Sequence, residues 1–361
     1  MIAMDPALEA LQSRIRKAAQ DSAPLRIRGG GTKDFYGGLP LGDILETQIY
    51  AGIVEYDPTE LVITARAGTS LAAIESATRA RGQMLAFEPP HFGEGSTLGG
   101  AVASGLSGPR RPYAGAVRDS VLGVRILDGT GQDLSFGGRV MKNVAGFDVA
   151  RLMTGALGTL GVITEVSLKC LPLPRSESTL AFGCSADEAI RMVNAWGTQP
   201  LPLSATCFHR GRMSVRLSGA QPAVAAAVAK LGGERVPDAD SYWAGLRDQT
   251  LPFFADMRAA GAPLWRLSVK STAPYTDLGG EQLVEWGGGL RWLAAGERTD
   301  AQRVRLWAAA NGGHATLFRA TDKSVGAFQP LAATMLALHQ RLKAAFDPQG
   351  ILNRGRLYPE F

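Results

Sequence analysis

The sequence predicts an α+β protein of two domains, and three observations carry the prediction. Its 361 residues, 45% of them apolar, exceed the roughly 250–300 residues at which a single hydrophobic core stops growing. The second half of the chain follows a β-α-β-β-α rhythm, which suggests an antiparallel sheet with helices on one face. Three glycine-rich turns, at residues 29–31, 93–108 and 155–161, punctuate the first half of the chain.

In chain order, Pro6 opens a helix in which Leu8, Leu11, Ile15 and Ala18 recur at three- and four-residue spacing, so one apolar face packs on a core. Residues 24–28 (PLRIR) read as a short strand. Residues 29–33 (GGGTK) form a turn in which the glycines permit positive φ and Lys33 supplies a cation; the GxxxxGK spacing of a Walker A loop is absent. Strands follow at 50–56 and 60–67, then a helix at 71–81 capped by Ser70 and stopped by Gly82, then a strand at 83–87. Residues 117–127 and 132–136 are strands joined by the hairpin sequence DGTG. The polar segment 139–148 (RVMKNVAGFD) precedes a helix at 149–154 and a strand at 162–171, and Pro172 and Pro174 end the domain.

The second half reads as a strand at 178–183, a helix at 186–196, a hairpin of 205–209 with 213–217, and a helix at 222–231. A linker at 236–241 and an aromatic stretch around Trp243, Phe253 and Phe254 come next. Further strands are expected at 263–271, 286–293 and 315–319, with a helix at 300–310, an amphipathic helix at 328–346 and a turn at 347–350. The domains are therefore expected at 1–174, 175–327 and 328–361, the last being a helix and tail that return to the first domain.

Bulk properties exclude several classes. The net charge of +5 comes from Lys and Arg scattered singly between acidic residues, without the basic blocks or interleaved aromatics of a nucleic-acid binder. Cys170, Cys184 and Cys207 are odd in number and none is spaced as CxxC, which argues against a disulfide framework, a structural zinc or an iron-sulfur cluster held by this chain alone. The N-terminal residues lack an apolar signal core, and no window reaches the length of a membrane span. Reduced thiols in a cytoplasm are the expected setting.

Residues 89–115 (PPHFGEGSTLGGAVASGLSGPRRPYAG) are the most informative stretch. Small residues let the backbone approach a ligand, and N–H groups left free by turns form a concavity for anions, so the run suits a large phosphate-bearing cofactor. The alternative is a glycine-rich surface loop. Gly93, Gly95 and Gly99 are spaced GxGxxxG, with no acidic residue placed for a ribose, which rejects a Rossmann site. Residues 97–104 are expected to start a short helix whose positive end faces the phosphates.

Taken together and in order over residues 24–174, RGGGTK, GEGSTLGGAVASGLSG, KNVAGFD and GTLGVITEVSLKCLP resemble the FAD-binding domain of the vanillyl-alcohol-oxidase (VAO) or PCMH-type flavoproteins. The ending FDPQGILNRGRLYPEF is similar to the C-terminal helix and tail of the D-lactate and glycolate dehydrogenase branch. The short chain, small second domain and GGHATLFRA stretch look most like the FAD-binding subunits of glycolate oxidase complexes. The resemblance implies a two-subdomain FAD-binding domain followed by a small antiparallel α+β cap domain. It places Arg28, Gly29, Gly30, Gly31, Thr32 and Lys33 in a first pyrophosphate loop. Gly95, Ser96, Thr97, Leu98, Gly99 and Gly100, with Ser104, Gly105, Ser107 and Gly108, form the second. Gly115 and Val117 lie along the cofactor, and Gly161, Val162 and Ile163 offer backbone hydrogen bonds to the adenine end. Thr32 stands where covalently flavinylated relatives carry histidine, so the FAD is expected to be non-covalent.

Oxidising a 2-hydroxy acid requires a base for the hydroxyl proton and a cation for the carboxylate. The related D-2-hydroxy-acid enzymes hold a metal with a motif like HxGDGNxH and a Glu-His pair. Here His314 matches the first histidine, but Thr321 takes the second place and no Glu-His pair exists, so no metal is expected. Arg266 is the leading candidate cation, His314 the candidate base, and Lys142 with Asn143 the next candidates. His91, His209 and His339 read as structural. The tail has Asn353-Arg354-Gly355 where relatives usually have Asn-Pro-Gly.

These features imply an FAD-binding subunit of a glycolate oxidase complex, which oxidises a small 2-hydroxy acid to glyoxylate or its analogue and passes electrons to a partner. Implied partners are a larger flavin subunit and an iron-sulfur subunit, with neither nucleic acid nor direct membrane insertion; any membrane association comes through the complex. Two alternatives stay open: a self-sufficient FAD-dependent dehydrogenase, and a structural subunit with a degenerate FAD site.

Overall fold

The computed structural model describes residues 5–138 and 148–361, and the chain divides into two compact units. The first comprises Met1–Ser107, Ala116–Pro172 and Pro330–Phe361; the second comprises Gly108–Gly115 and Leu173–Gln329.

The first unit begins with α1 (Pro6–Asp21), whose N-cap Asp5 carboxylate accepts from the Ala7 N–H and whose Leu8, Leu11, Ile15 and Ala18 are buried. Strand β1 (Leu25–Arg28) pairs in parallel with β2 (Asp43–Glu46). The sequence reading missed β2, because only Leu45 of its four residues is buried and no alternation marks it. The chain continues through β3 (Ile53–Asp57), β4 (Val62–Arg66), α2 (Leu71–Arg79), β5 (Gln83–Met84) and α3 (Leu98–Ser104). Strands β6 (Val121–Leu127), β7 (Asp133–Gly137), β8 (Val162–Lys169) and β9 (Leu171–Pro172) complete the unit.

Five of these strands form an antiparallel sheet in the order β3-β4-β8-β6-β7, packed on a core that includes Ile63, Ile74, Phe87, Val124 and Val166. At the β6-β7 turn one carboxylate oxygen of Asp128 accepts from the N–H groups of Thr130 at 2.8 Å and Gln132 at 2.9 Å. The expected strand at 117–127 starts only at Val121, because Val117–Ser120 makes a helical turn in which the Asp119 carboxylate accepts from Ala116 N–H.

The second unit holds β10 (Ser176–Gly183), β11 (Leu203–His209), β12 (Arg212–Gly219), β13 (Glu234–Val236), β14 (Leu264–Ser268), β15 (Gly280–Glu285), β16 (Leu290–Ala295) and β17 (His314–Arg319). They form one antiparallel sheet in the order β13-β10-β12-β11-β15-β16-β14-β17. Two sequence expectations fail here. Residues 286–293 are not one strand: Trp286, Gly287 and Gly288 all have positive φ and turn the chain between β15 and β16. The linker and aromatic stretch fold as helices Asp240–Asp248 and Pro252–Ala259, too short to establish a clear helical period, and bury Trp243, Phe253 and Phe254.

Gly108–Gly115 groups with the second unit through specific bonds. Arg110 pairs with Glu177 at 2.7 Å, the Trp286 indole N–H donates to Gly108 O at 3.1 Å, and the Arg111 guanidinium sits 4.5 Å from the Trp286 ring. The long glycine-rich stretch is thus divided between two units.

The C-terminal helix, expected from residue 328, spans Ala333–Phe346, starting beyond Pro330. It carries an unexpected buried lysine. Lys343 donates all three of its protons, to Thr159 O at 2.8 Å, Leu352 O at 2.7 Å and the Asp347 carboxylate at 2.7 Å. Asp347 in turn accepts from the N–H groups of Ile351 and Leu352. Burial pushes the Lys343 pKa down and Asp347 opposes that shift. Removing one partner of such a buried pair strands the other charge. Asp347→Ala is therefore expected to lower unfolding stability by about 3–5 kcal/mol, as checked by denaturant titration.

Candidate functional site

A cleft of about 690 Å³, counted to open solvent at its mouth, lies in the first unit. Its walls are the end of β1 with the turn after it, the first turns of α3, the glycine turn before β8, and two residues of the C-terminal tail.

The turn after β1 is built for close approach. A Cβ on Gly30 would stand 1.5 Å from Gly95 O, so the two glycine loops meet backbone to backbone and only glycine fits. Gly31 has φ +71°, and Asp34 N–H donates to Gly31 O to close the turn. Among the described residues, the N–H groups of Gly29, Gly30, Gly31 and Thr32 meet no acceptor. Successive unbonded N–H groups at a turn are an anion-binding concavity.

Charge around the turn agrees with that reading. Lys33 crosses to the second loop, donating to Ser96 Oγ at 2.8 Å, His91 O at 3.3 Å and Thr32 Oγ1 at 3.4 Å. Asp34 takes ion pairs from both Arg26 and Arg28, and Arg28 also lies 3.8 Å from Glu46. Arg356, 7% exposed, donates to the carbonyls of Asp34, Tyr36 and Gly38. Desolvation holds its pKa below the ordinary arginine value. Among the described residues, Arg26, Arg28, Lys33 and Arg356 lie around the turn together with Asp34 and Glu46.

The expected role of the α3 N-terminus is corrected. Thr97 caps the helix by accepting from Gly100 N–H at 3.2 Å, while Leu98 N–H donates to Thr69 O and Gly99 N–H to Ala67 O. Its leading donors are consumed in holding α3 against β4 and the start of α2. The free donors belong to the turn after β1 instead.

Of the residues expected to hold cofactor, Arg28, Gly29, Gly30, Gly31, Thr32, Lys33, Thr97, Gly99, Gly100, Ser104, Gly161 and Ile163 line this cleft. Gly95 and Ser96 support it from behind, through the Gly30 contact and the Lys33 bond. Leu98, Val117 and Val162 bury their side chains in the core, Gly105 caps α3, and Ser107 Oγ accepts from Val117 N–H. Gly108 and Gly115 belong to the second unit.

The sequence reading did not assign Ile27, Asp34, Thr47, Ala103, Leu157, Gly158, Asn353 and Arg356 to the cleft. Leu157 and Gly158 were discoverable, since they sit in the third glycine turn with φ of 51° and 72°. Asn353 reaches Ile27 across 326 residues, and no local pattern carries that pairing.

In the second unit Arg266 faces Thr316, and His314 faces Ser268, across the β14-β17 ladder, so both side chains project from one face of the sheet. The Arg266 guanidinium lies 5.2 Å from the Trp286 ring and 6.0 Å from the Trp292 ring. Partial desolvation, then the nearby Arg266 charge, hold the His314 imidazole below its ordinary pKa, although the residue as a whole is exposed. Lys142 and Asn143 lie outside the described residues. Among those described, no three His, Cys, Asp or Glu residues converge to hold a metal. His91 and His209 pair with Glu75 and Glu281, and His339 packs on Tyr358 and Phe361. Burial pushes the Cys170 thiol up to about 12 and the Cys207 thiol higher, so neither is a nucleophile near neutral pH.

Residues 7–137 match the family model described as FAD binding domain, and residues 330–357 match FAD linked oxidases, C-terminal domain. The chain is 49% identical over 352 residues to the glycolate oxidase subunit GlcE of Escherichia coli (strain K12), covering 98% of this chain and 97% of that one. It is 30% identical over 200 residues to a D-lactate dehydrogenase of Archaeoglobus fulgidus, covering 54% of this chain and 44% of that enzyme. The solved structure of an alkyldihydroxyacetonephosphate synthase aligns with a TM-score of 0.64 at 16% identity, over 96% of this chain and 74% of that one, which shows a shared fold.

The cleft geometry makes a direct prediction. Gly30→Ala is expected to push the two glycine loops apart and weaken binding of a diphosphate-bearing ligand by at least about tenfold, the equivalent of losing one good hydrogen bond; equilibrium titration with ADP-ribose or FAD checks it.

Proposed function

The chain belongs to the family of FAD-linked oxidases that contains the Escherichia coli glycolate oxidase subunit, and from that premise we propose that it is the FAD-binding subunit of a complex that oxidises glycolate or a similar 2-hydroxy acid. The observation that carries the proposal is the turn at residues 29–32, whose four N–H groups meet no acceptor among the described residues and which lies beside Arg28 and Lys33, an arrangement that suits a pyrophosphate. The residues present fit FAD. The N–H groups of Gly29, Gly30, Gly31 and Thr32 would hold the diphosphate, Lys33 and Arg28 would add charge, and Gly161 and Ile163, which line the same cleft, would contact the rest of the cofactor.

Bound FAD supplies the two-electron acceptor. The attachment is non-covalent, because Thr32 stands at the histidine position and lacks a nucleophilic nitrogen. Converting the alcohol carbon of a 2-hydroxy acid to a carbonyl releases two electrons and two protons. The likeness to a glycolate oxidase subunit supports partner proteins as the electron acceptors, and we take these to be a larger flavin subunit and an iron-sulfur subunit. We place the complex in the cytoplasm, with any membrane association coming through its other subunits.

One observation favours a second reading, in which the chain oxidises substrate unaided. Arg266 and His314 share a sheet face, and can hold a carboxylate and accept the hydroxyl proton respectively. The lowered His314 pKa suits this role, because a base must be neutral.

An anaerobic glycolate titration of the FAD-loaded chain separates the readings: the flavin spectrum is expected to stay oxidised until the larger subunit is added, and bleaching of the isolated chain favours the second. Under that second reading, activity rises with pH through a value below the ordinary histidine pKa of about 6.5. His314→Gln then removes this acid limb and lowers kcat by about 10²–10⁴, as a pH–rate profile tests.

A further inference from the structure

The C-terminal tail enters the cleft through Asn353, a residue that is 6% exposed and has φ +42°. Its carboxamide joins two walls. Oδ1 accepts from Ile27 N–H at 2.7 Å, at the end of β1, and Nδ2 donates to Leu157 O at 2.6 Å, in the glycine turn before β8. Leu157 N–H in turn donates to Ala103 O on α3 at 2.9 Å. The backbone closes the same ring, with Asn353 N–H donating to Leu25 O and Leu25 N–H to Ile351 O. Ile27, Ala103, Leu157 and Asn353 all line the cleft, so one side chain sets the spacing of β1, the glycine turn and, through it, α3.

The residue type is dictated by its partners. One planar end must offer an acceptor to an N–H and a donor to a carbonyl, which a carboxamide does and a carboxylate does not. Those partners also fix the amide orientation. Asparagine further tolerates the left-handed backbone conformation better than most residues.

We propose that Asn353 is a positioning residue for FAD: docking of the tail fixes the width of the cleft, and occupancy of the cleft and docking of the tail are thermodynamically linked. The inference rests on the cleft being the FAD site. Linkage requires that anything favoured by the docked tail also favours the docked tail in return.

The test compares the full-length chain with Asn353→Asp and Arg354→Ala. Arg354 is exposed on the same tail and bonds only to Gly350 O among the described residues. FAD binding is read from flavin fluorescence, well below the unfolding temperature and corrected for the folded fraction. Asn353→Asp is expected to raise the FAD dissociation constant at least about tenfold and to shrink the FAD-induced rise in Tm, and Arg354→Ala to change neither. A merely structural role would lower the Tm of free and FAD-bound protein alike and leave the dissociation constant of the folded fraction unchanged, which overturns the proposal. Should Asn353→Asp fail to fold, amide hydrogen exchange of the unaltered chain decides: protection over residues 351–356 is expected to rise with FAD, and equal protection with and without FAD overturns the linkage. An unaltered chain that binds no FAD refutes the cofactor assignment itself, a separate result.

Discussion

The buried Lys343–Asp347 pair is the constraint on which the cleft of the first unit depends. A lysine taken out of water is tolerated only when its protons find acceptors, and here they find Thr159 O, Leu352 O and Asp347. Those three acceptors bring the C-terminal helix, the glycine turn before β8 and the tail to one point. Asp347 then shapes the tail by accepting from the N–H groups of Ile351 and Leu352, which delivers Leu352 to β1 and Asn353 into the cleft wall. The chain closes on its own first strand, and a cleft bordered early in the sequence is finished by its last residues.

Within that frame, the N–H groups that meet no acceptor among the described residues belong to the turn at 29–32 rather than to a helix end. The N-terminus of α3 is saturated by Thr69, Ala67 and Thr97, so its role is to hold the second glycine loop still. The Gly30 contact on Gly95 O then fixes the first loop against it. Lys33 and Ser96 tie the same two loops by side chains. Glycine is needed here less for flexibility than for the absence of a side chain where two backbones touch.

Legibility in the sequence followed the range of the interactions. Helix α1 was readable because Pro6 and its apolar stripe are local, and the β6-β7 hairpin because its turn sequence DGTG is local. The three glycine turns were readable individually, and their order pointed to the fold. Strand β2 was hidden because its stability comes from β1 rather than from its own pattern. The two helices at Asp240–Asp248 and Pro252–Ala259 were hidden because each is barely two turns long, with aromatic packing that crosses between elements, such as Phe254 on Trp292. Lys343 was invisible as a core residue, since only its distant carbonyl partners make burial tolerable. For the same reason Asn353 and Arg356 were absent from the expected cleft, and the α3 donors were wrongly assigned to the ligand: sequence shows that a donor exists, not whether a neighbour has already taken it.

Equilibrium dialysis of the full chain against FAD and against riboflavin tests the central claim, that the cleft recognises its ligand through the diphosphate. FAD is expected to bind one per chain, with riboflavin at least about a hundredfold weaker, the equivalent of two charge-assisted hydrogen bonds. Equal affinity for the two would contradict the account, because it would place recognition on the isoalloxazine ring and leave the turn at residues 29–32 without its proposed role.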